Sequence, residues 1–98
     1  MKIKYTDGAA RNMKEIFSFI AQSDSGNAAA VLDRFFEAVE KLKDFPDIGV
    51  FPKDKIICRK GYRMLISDNY LIFYKIDGET AVIAAVLHGS RNYAFLLK

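Results

Sequence analysis

The residues able to do chemistry gather in the second half of this chain. Arg63 heads one apolar stretch, His88, Arg91 and Tyr93 follow another, and Lys53, Lys55, Arg59 and Lys60 lie just upstream. Two guanidiniums, an imidazole and several phenols near the rim of a sheet are the groups that recognise a phosphate backbone or an acidic partner peptide. The charge distribution points the same way. Residues 1–50 hold seven Lys/Arg against eight Asp/Glu, and residues 51–98 hold eight against four, so the halves carry −1 and +4. Five of the basic groups fall between Lys53 and Arg63. Such a local field attracts nucleic acid or an acidic protein segment. Equally, it protects a solvated sheet edge from pairing. Charge alone leaves these readings open.

Other classes are excluded more firmly. The single Cys58 has no internal disulfide partner, and one Cys with one His supplies no metal-ligand spacing, so no metal or cofactor is expected. Met1-Lys2-Ile3-Lys4-Tyr5 runs at once into Thr6-Asp7-Gly8 without an apolar signal core. No apolar run approaches the ~18 residues of a membrane span. Cytoplasmic residence is the expectation, with no membrane partner. At 98 residues, 51% hydrophobic, the chain is long enough for one domain with a core of its own, spanning residues 1–98.

Several elements must position these groups. Ile3 and Tyr5 alternate with lysines, which predicts a short half-buried strand. Thr6 or Asp7 then offers an N-cap oxygen. Ala9, Met13, Ile16, Phe17 and Ile20 form one face of an amphipathic helix. Ser23 to Asn27 breaks the pattern and caps a second helix, which buries Ala28, Val31, Leu32, Phe35, Val39 and Leu42. Pro46 and Pro52 close that helix and bound a loop whose Phe45, Ile48 and Phe51 are expected to pack inward. From Ile56 the alternation predicts a strand with Arg59 and Arg63 on one face and a bulge near Gly61. Ser67-Asp68-Asn69 turns into a central strand from Tyr70 to Ile76, Asp77-Gly78 signals a hairpin, and Thr80 to Leu87 form the last strand. Ser90 is expected to cap a final helical turn carrying Tyr93, Leu96 and Leu97. The order is β-α-α-β-β-β, an α+β fold. Its antiparallel sheet is backed on one face by a helical hairpin and followed by a short helical tail. The uncovered face is expected to be amphipathic and to carry the function.

This order and its motifs resemble the RelE/ParE superfamily of toxins from bacterial type II toxin–antitoxin systems, over nearly the whole chain. An early alanine with Met13, Glu15 and Ile16 is similar to the family's first helix. Leu42 followed by Phe45-Pro46-Asp47-Ile48-Gly49 resembles its helix exit. Tyr62-Arg63-Met64-Leu65, Asn69 to Tyr74, and Leu87-His88-Gly89-Ser90-Arg91-Asn92-Tyr93 resemble its three-strand signature. The resemblance implies a growth inhibitor neutralised by a cognate antitoxin, acidic and partly disordered, that wraps the toxin. It implies one of two targets: DNA gyrase for ParE-like members, or mRNA on the ribosome for RelE-like members, which cut without a metal.

Metal-free RNA cleavage needs a base, positive charge for the phosphorane and an acid for the leaving oxygen. Arg63 and Arg91 would supply the charge and His88 or Tyr93 the acid. Asp54 would be the base, with Lys53, Lys55, Arg59 and Lys60 holding the backbone. The chain departs from the nucleolytic pattern in two places. Asn69-Tyr70-Leu71 lacks the arginine many family ribonucleases carry there, and His88 is followed by Gly-Ser-Arg instead of ending the chain. These departures favour the ParE-like, plasmid-stabilisation branch, in which the same groups form a protein-binding surface. Each residue also has a plainer role: Arg63 pairing with Asp68 or Glu79, His88 hydrogen-bonded at a strand end, Tyr93 packing the tail. A small RNA- or protein-binding module without toxicity is the third reading.

Overall fold

Alternating lysines and apolar residues build the edge strand β1 (Lys2–Tyr5), with Ile3 and Tyr5 half-buried. The computed structural model describes residues 1–89. Thr6 ends the strand and caps α1 (Asp7–Ser23), its hydroxyl accepting from the Ala9 N–H at 3.0 Å. A single extended residue, Asp24, separates α1 from α2 (Ser25–Glu40). It closes the first helix through its N–H to Ile20 O and caps the second through its carboxylate to the Asn27 N–H. A 3₁₀ turn (Lys41–Lys43) finishes α2.

Three strands follow: β2 (Arg63–Ser67), β3 (Tyr70–Asp77) and β4 (Thr80–His88). The sheet order is β1-β4-β3-β2. The last three strands form the expected antiparallel meander, and β1 joins the edge parallel to β4. The helical pair lies on one face, α1 against β4 and α2 against β2. There Ala9, Phe35, Val39 and Leu42 meet Leu65, Ile72, Tyr74, Ala81, Ile83 and Val86. Full burial of each large apolar side chain contributes about 1.5–3 kcal/mol. On the opposite face Phe73, Ala85 and Leu87 form a second cluster with half-buried Met64 and Leu71.

A bulge keeps both faces apolar. Phe73 pairs with Ala85 and Tyr74 with Ile83, so Ala84 is an extra residue in β4. The backbone beside the bulge finds partners on α1 and on its N-cap. The Thr6 hydroxyl donates to Ala84 O at 3.1 Å, and the Val86 N–H donates to Asn12 Oδ1 at 3.1 Å.

Three expectations are corrected. Residues 55–59 are a short helix, α3 (Lys55–Arg59), instead of a strand. Asp54 Oδ1 accepts from the N–H groups of Ile56 and Ile57 at 2.9 and 3.1 Å, and Gly61, at φ 89°, stops the helix before β2 begins. The loop between α2 and α3 turns its apolar side chains outward, with Phe45, Ile48 and Phe51 61%, 42% and 58% exposed. The hairpin after β3 uses Gly78-Glu79 as its two turn residues, because Asp77 already pairs with Thr80. The expected helical tail lies outside the described residues, as do Arg91 and Tyr93.

Candidate functional site

The inward positions of the 45–52 loop belong to Gly49 and Pro52. Gly49 is buried against Tyr74, which comes up from the central strand with no exposed surface. The Tyr74 hydroxyl accepts from the Gly49 N–H at 3.0 Å and donates to Pro46 O at 2.8 Å. Burial is the main cause that holds this phenol's pKa above its ordinary value, with Asp47 adding to it; the Gly49 bond and Arg63 oppose. Val50 then pairs with Met64 through two backbone bonds of 2.9 and 2.8 Å, fastening the loop to the edge of β2.

Arg63 completes the fastening. Its position opposite Tyr74 places it on the helix side of the sheet, beneath the loop. Its guanidinium donates to Gly49 O at 3.1 Å and Asp47 O at 3.3 Å, and its central carbon lies 4.2 Å from the Phe51 ring centroid. The Asp47 carboxylate stands 3.7 Å away and is largely exposed, so this ion pair adds little. Of the partners considered from sequence, Asp68 is held instead by Arg34 Nε at 2.9 Å.

These contacts hold up an apolar knuckle. Phe45, Ile48, Val50, Phe51 and Ile56 are all exposed large hydrophobics. An open depression of about 360 Å³ lies among Asp44, Phe45, Pro46, Asp47 and Ile48. Lys53, Lys55, Arg59 and Lys60, all exposed, lie on and beside α3, immediately after the knuckle. The sequence reading found the cations but missed Tyr74, Gly49 and the outward loop. The signals were an Asp three residues before Ile57 and a Gly between two prolines.

Among the described residues, His88 is not brought to Arg63. His88 pairs with Tyr70, with ring centroids 5.7 Å apart, and borders a cleft with Glu15, Ile16 and Phe19. Tyr70 is four positions from Tyr74 on β3, roughly 13 Å at ~3.3 Å per residue. His88 and Arg63 also flank that strand from opposite sides. Asp54 spends one carboxylate oxygen capping α3. Arg59 sits on an exposed helix and Arg63 beneath the loop, so they share no sheet face. The bare face instead pairs Lys75 with Tyr62, the ammonium 4.8 Å from the ring centroid.

A second surface is acidic. Asp33, Phe36, Glu37, Glu40, Lys41 and Asp44 line an open groove of about 670 Å³ along α2. Tyr5 touches Phe36 edge-on at 6.4 Å, and its pKa is raised, mainly by burial and further by Glu40. Among the described residues no three His, Cys, Asp or Glu side chains gather to hold a metal ion. No described helix is long and apolar enough to cross a membrane.

A helical hairpin on a four-stranded sheet, with a meander and a parallel edge strand, is the α+β architecture of the ParE-like fold. Residues 3–93 match the family described as ParE toxin of type II toxin-antitoxin system, parDE, and the chain belongs to that family. Membership implies a cognate antitoxin as partner. Among solved structures, a chain from a chromosomal ParDE TA system from P. aeruginosa is similar, with a TM-score of 0.72 at 18% identity, covering 90% of this chain and 95% of that one. At that identity the likeness speaks for the fold. Among curated proteins no sequence match was found.

Proposed function

We propose that this chain is a cytoplasmic growth inhibitor that acts on DNA gyrase through a protein–protein contact, and that an acidic, partly disordered antitoxin neutralises it. The observation that supports protein binding over RNA cleavage is the commitment of Arg63. Its guanidinium is bonded to two loop carbonyls and laid on Phe51, well away from His88. A phosphorane needs donors aimed at the reacting phosphate, whereas the Arg63 Nη1 turns its N–H groups to loop carbonyls and the guanidinium face is covered by Phe51. The exposed apolar side chains beside it suit a protein surface.

The test is inducible expression in bacteria, alone and with the adjacent gene, together with a gyrase supercoiling assay on the purified chain. Growth arrest with intact transcripts, blocked supercoiling in vitro and rescue by the neighbour are the expected results. Ribosome-associated mRNA cleavage with unimpaired supercoiling would overturn the gyrase reading.

A further inference from the structure

We propose that the 45–60 segment is a preformed docking knuckle for an acidic protein segment that carries apolar side chains. The inference stands apart from the identity of the toxin's target.

Three observations carry it. First, the apolar side chains are displayed, since Phe45, Ile48, Val50, Phe51 and Ile56 are 42–61% exposed within twelve residues. Scattered exposed hydrophobics need no explanation, but five in one short segment mark an interaction surface. Second, the loop is fixed before any partner arrives. A fully buried tyrosine, a guanidinium, a two-bond bridge to β2 and a glycine with no room for a side chain all act on residues 46–51. Binding to such a loop loses little ordering entropy. Third, the charge around α3 is mainly positive, although Asp44 and Asp47 border the depression on the other side. Lys53, Lys55, Arg59 and Lys60 stand exposed around α3, while the intervening Asp54 is engaged as a helix cap.

Together these describe the partner. Apolar side chains would fill the depression beside Phe45 and Ile48, and carboxylates would meet the lysines and arginine of α3. Nucleic acid suits the cations but gains little from the aliphatic Ile48, Val50 and Ile56. A protein segment satisfies both halves of the surface.

The experiment uses the full chain and three labelled probes of similar length. These are an amphipathic peptide of leucine and glutamate, the same peptide with lysine for glutamate, and oligouridine RNA. Fluorescence anisotropy measures affinity, and amide shifts in ¹⁵N-labelled protein locate the contact. The acidic peptide should bind at least about tenfold tighter than either other probe, with shifts centred on residues 45–60. Ile48→Asp and Arg59→Glu should each weaken it by about tenfold or more, since one such loss is about 1.4 kcal/mol. Phe19→Asp, at another exposed aromatic on α1, should leave it unchanged. Circular dichroism and a thermal midpoint verify that each variant is folded. Equal affinity for the basic peptide, tighter binding of RNA, undiminished binding by Ile48→Asp, or shifts elsewhere would each overturn the proposal.

Discussion

The Tyr74 ring stands where a side chain on Gly49 would have to go. A Cβ built on Gly49 would lie 2.5 Å from both the ring and the hydroxyl oxygen of Tyr74. Tyr74 is fully buried at the centre of the sheet and has nowhere to retreat. Gly49→Ala should therefore destabilise the chain by about 1–3 kcal/mol, the usual cost of overpacking. Urea unfolding is the measurement. Gly26→Ala, where an added Cβ meets only Asp24 Oδ1 at 3.5 Å, is the comparison and should change stability much less.

Removing the hydroxyl tests the same joint from the other side. Tyr74→Phe keeps the ring but leaves the Gly49 N–H and Pro46 O without their partner, which costs about 1–3 kcal/mol for buried groups. It should also change the alkaline limb of the stability curve. Burial raises the Tyr74 pKa in the folded chain, so folding favours the neutral phenol. That contribution is fully present below the unfolded tyrosine value near ~10 and is lost as pH rises through the higher folded value. Thermal midpoints between pH 8 and 11 should fall for the parent chain and fall less steeply for Tyr74→Phe. Part of the slope should remain in the variant, because Tyr5 is shifted in the same direction.

Arg63 makes a different kind of contribution. Its Nη1 alone bonds both carbonyls while the flat guanidinium face lies on Phe51, and that stacked face is what lysine cannot reproduce. Arg63→Ala should cost about 1–2 kcal/mol after allowance for partial exposure, and Arg63→Lys should lose the Phe51 contact while keeping a donor for the carbonyls. Both should speed chymotryptic cleavage at Phe45 and Phe51. A lysine variant with the parent's protection would assign Arg63 a role through charge alone.

Much of the scaffold was legible in the residues, and the reasons are physical. Helical faces repeat locally, so Ala9, Phe35 and Val39 could be placed in the core from spacing, and all are buried. The strands β3 and β4 announce themselves by composition and by Gly78. The first miss, α3, came from reading Ile56-Ile57-Cys58 as strand by type, when a cap from Asp54 and a stop at Gly61 decide the matter. The second miss was the knuckle. Aromatic content suggested inward packing, but the loop's depth is set by Gly49 resting on Tyr74, twenty-five residues away in sequence. Arg63 was found as a candidate, while its carbonyl partners lie 14 and 16 residues upstream, beyond any local pattern. Nonlocal hydrogen bonds of this kind leave no periodic trace.

The bulge in β4 offers a test of how the helices fix the sheet. Ala84 is the extra residue, and the buried Val86 lies two positions on, beyond the last residue of β4 that pairs with β1. Asn12 on α1 supplies the acceptor at 3.1 Å. Asn12→Ala should leave that amide unsatisfied and cost about 1–3 kcal/mol. Asn12→Asp retains an acceptor oxygen of the same reach and should cost much less. Hydrogen exchange at the Val86 amide separates this from a general loss of packing. In the alanine variant Val86 should exchange faster by more than the global destabilisation allows, while Ile72 on the neighbouring strand should follow the global change. If both amides accelerate equally, the helix-to-bulge bond does not hold the register, and the apolar alternation on either side of Ala84 is enough by itself.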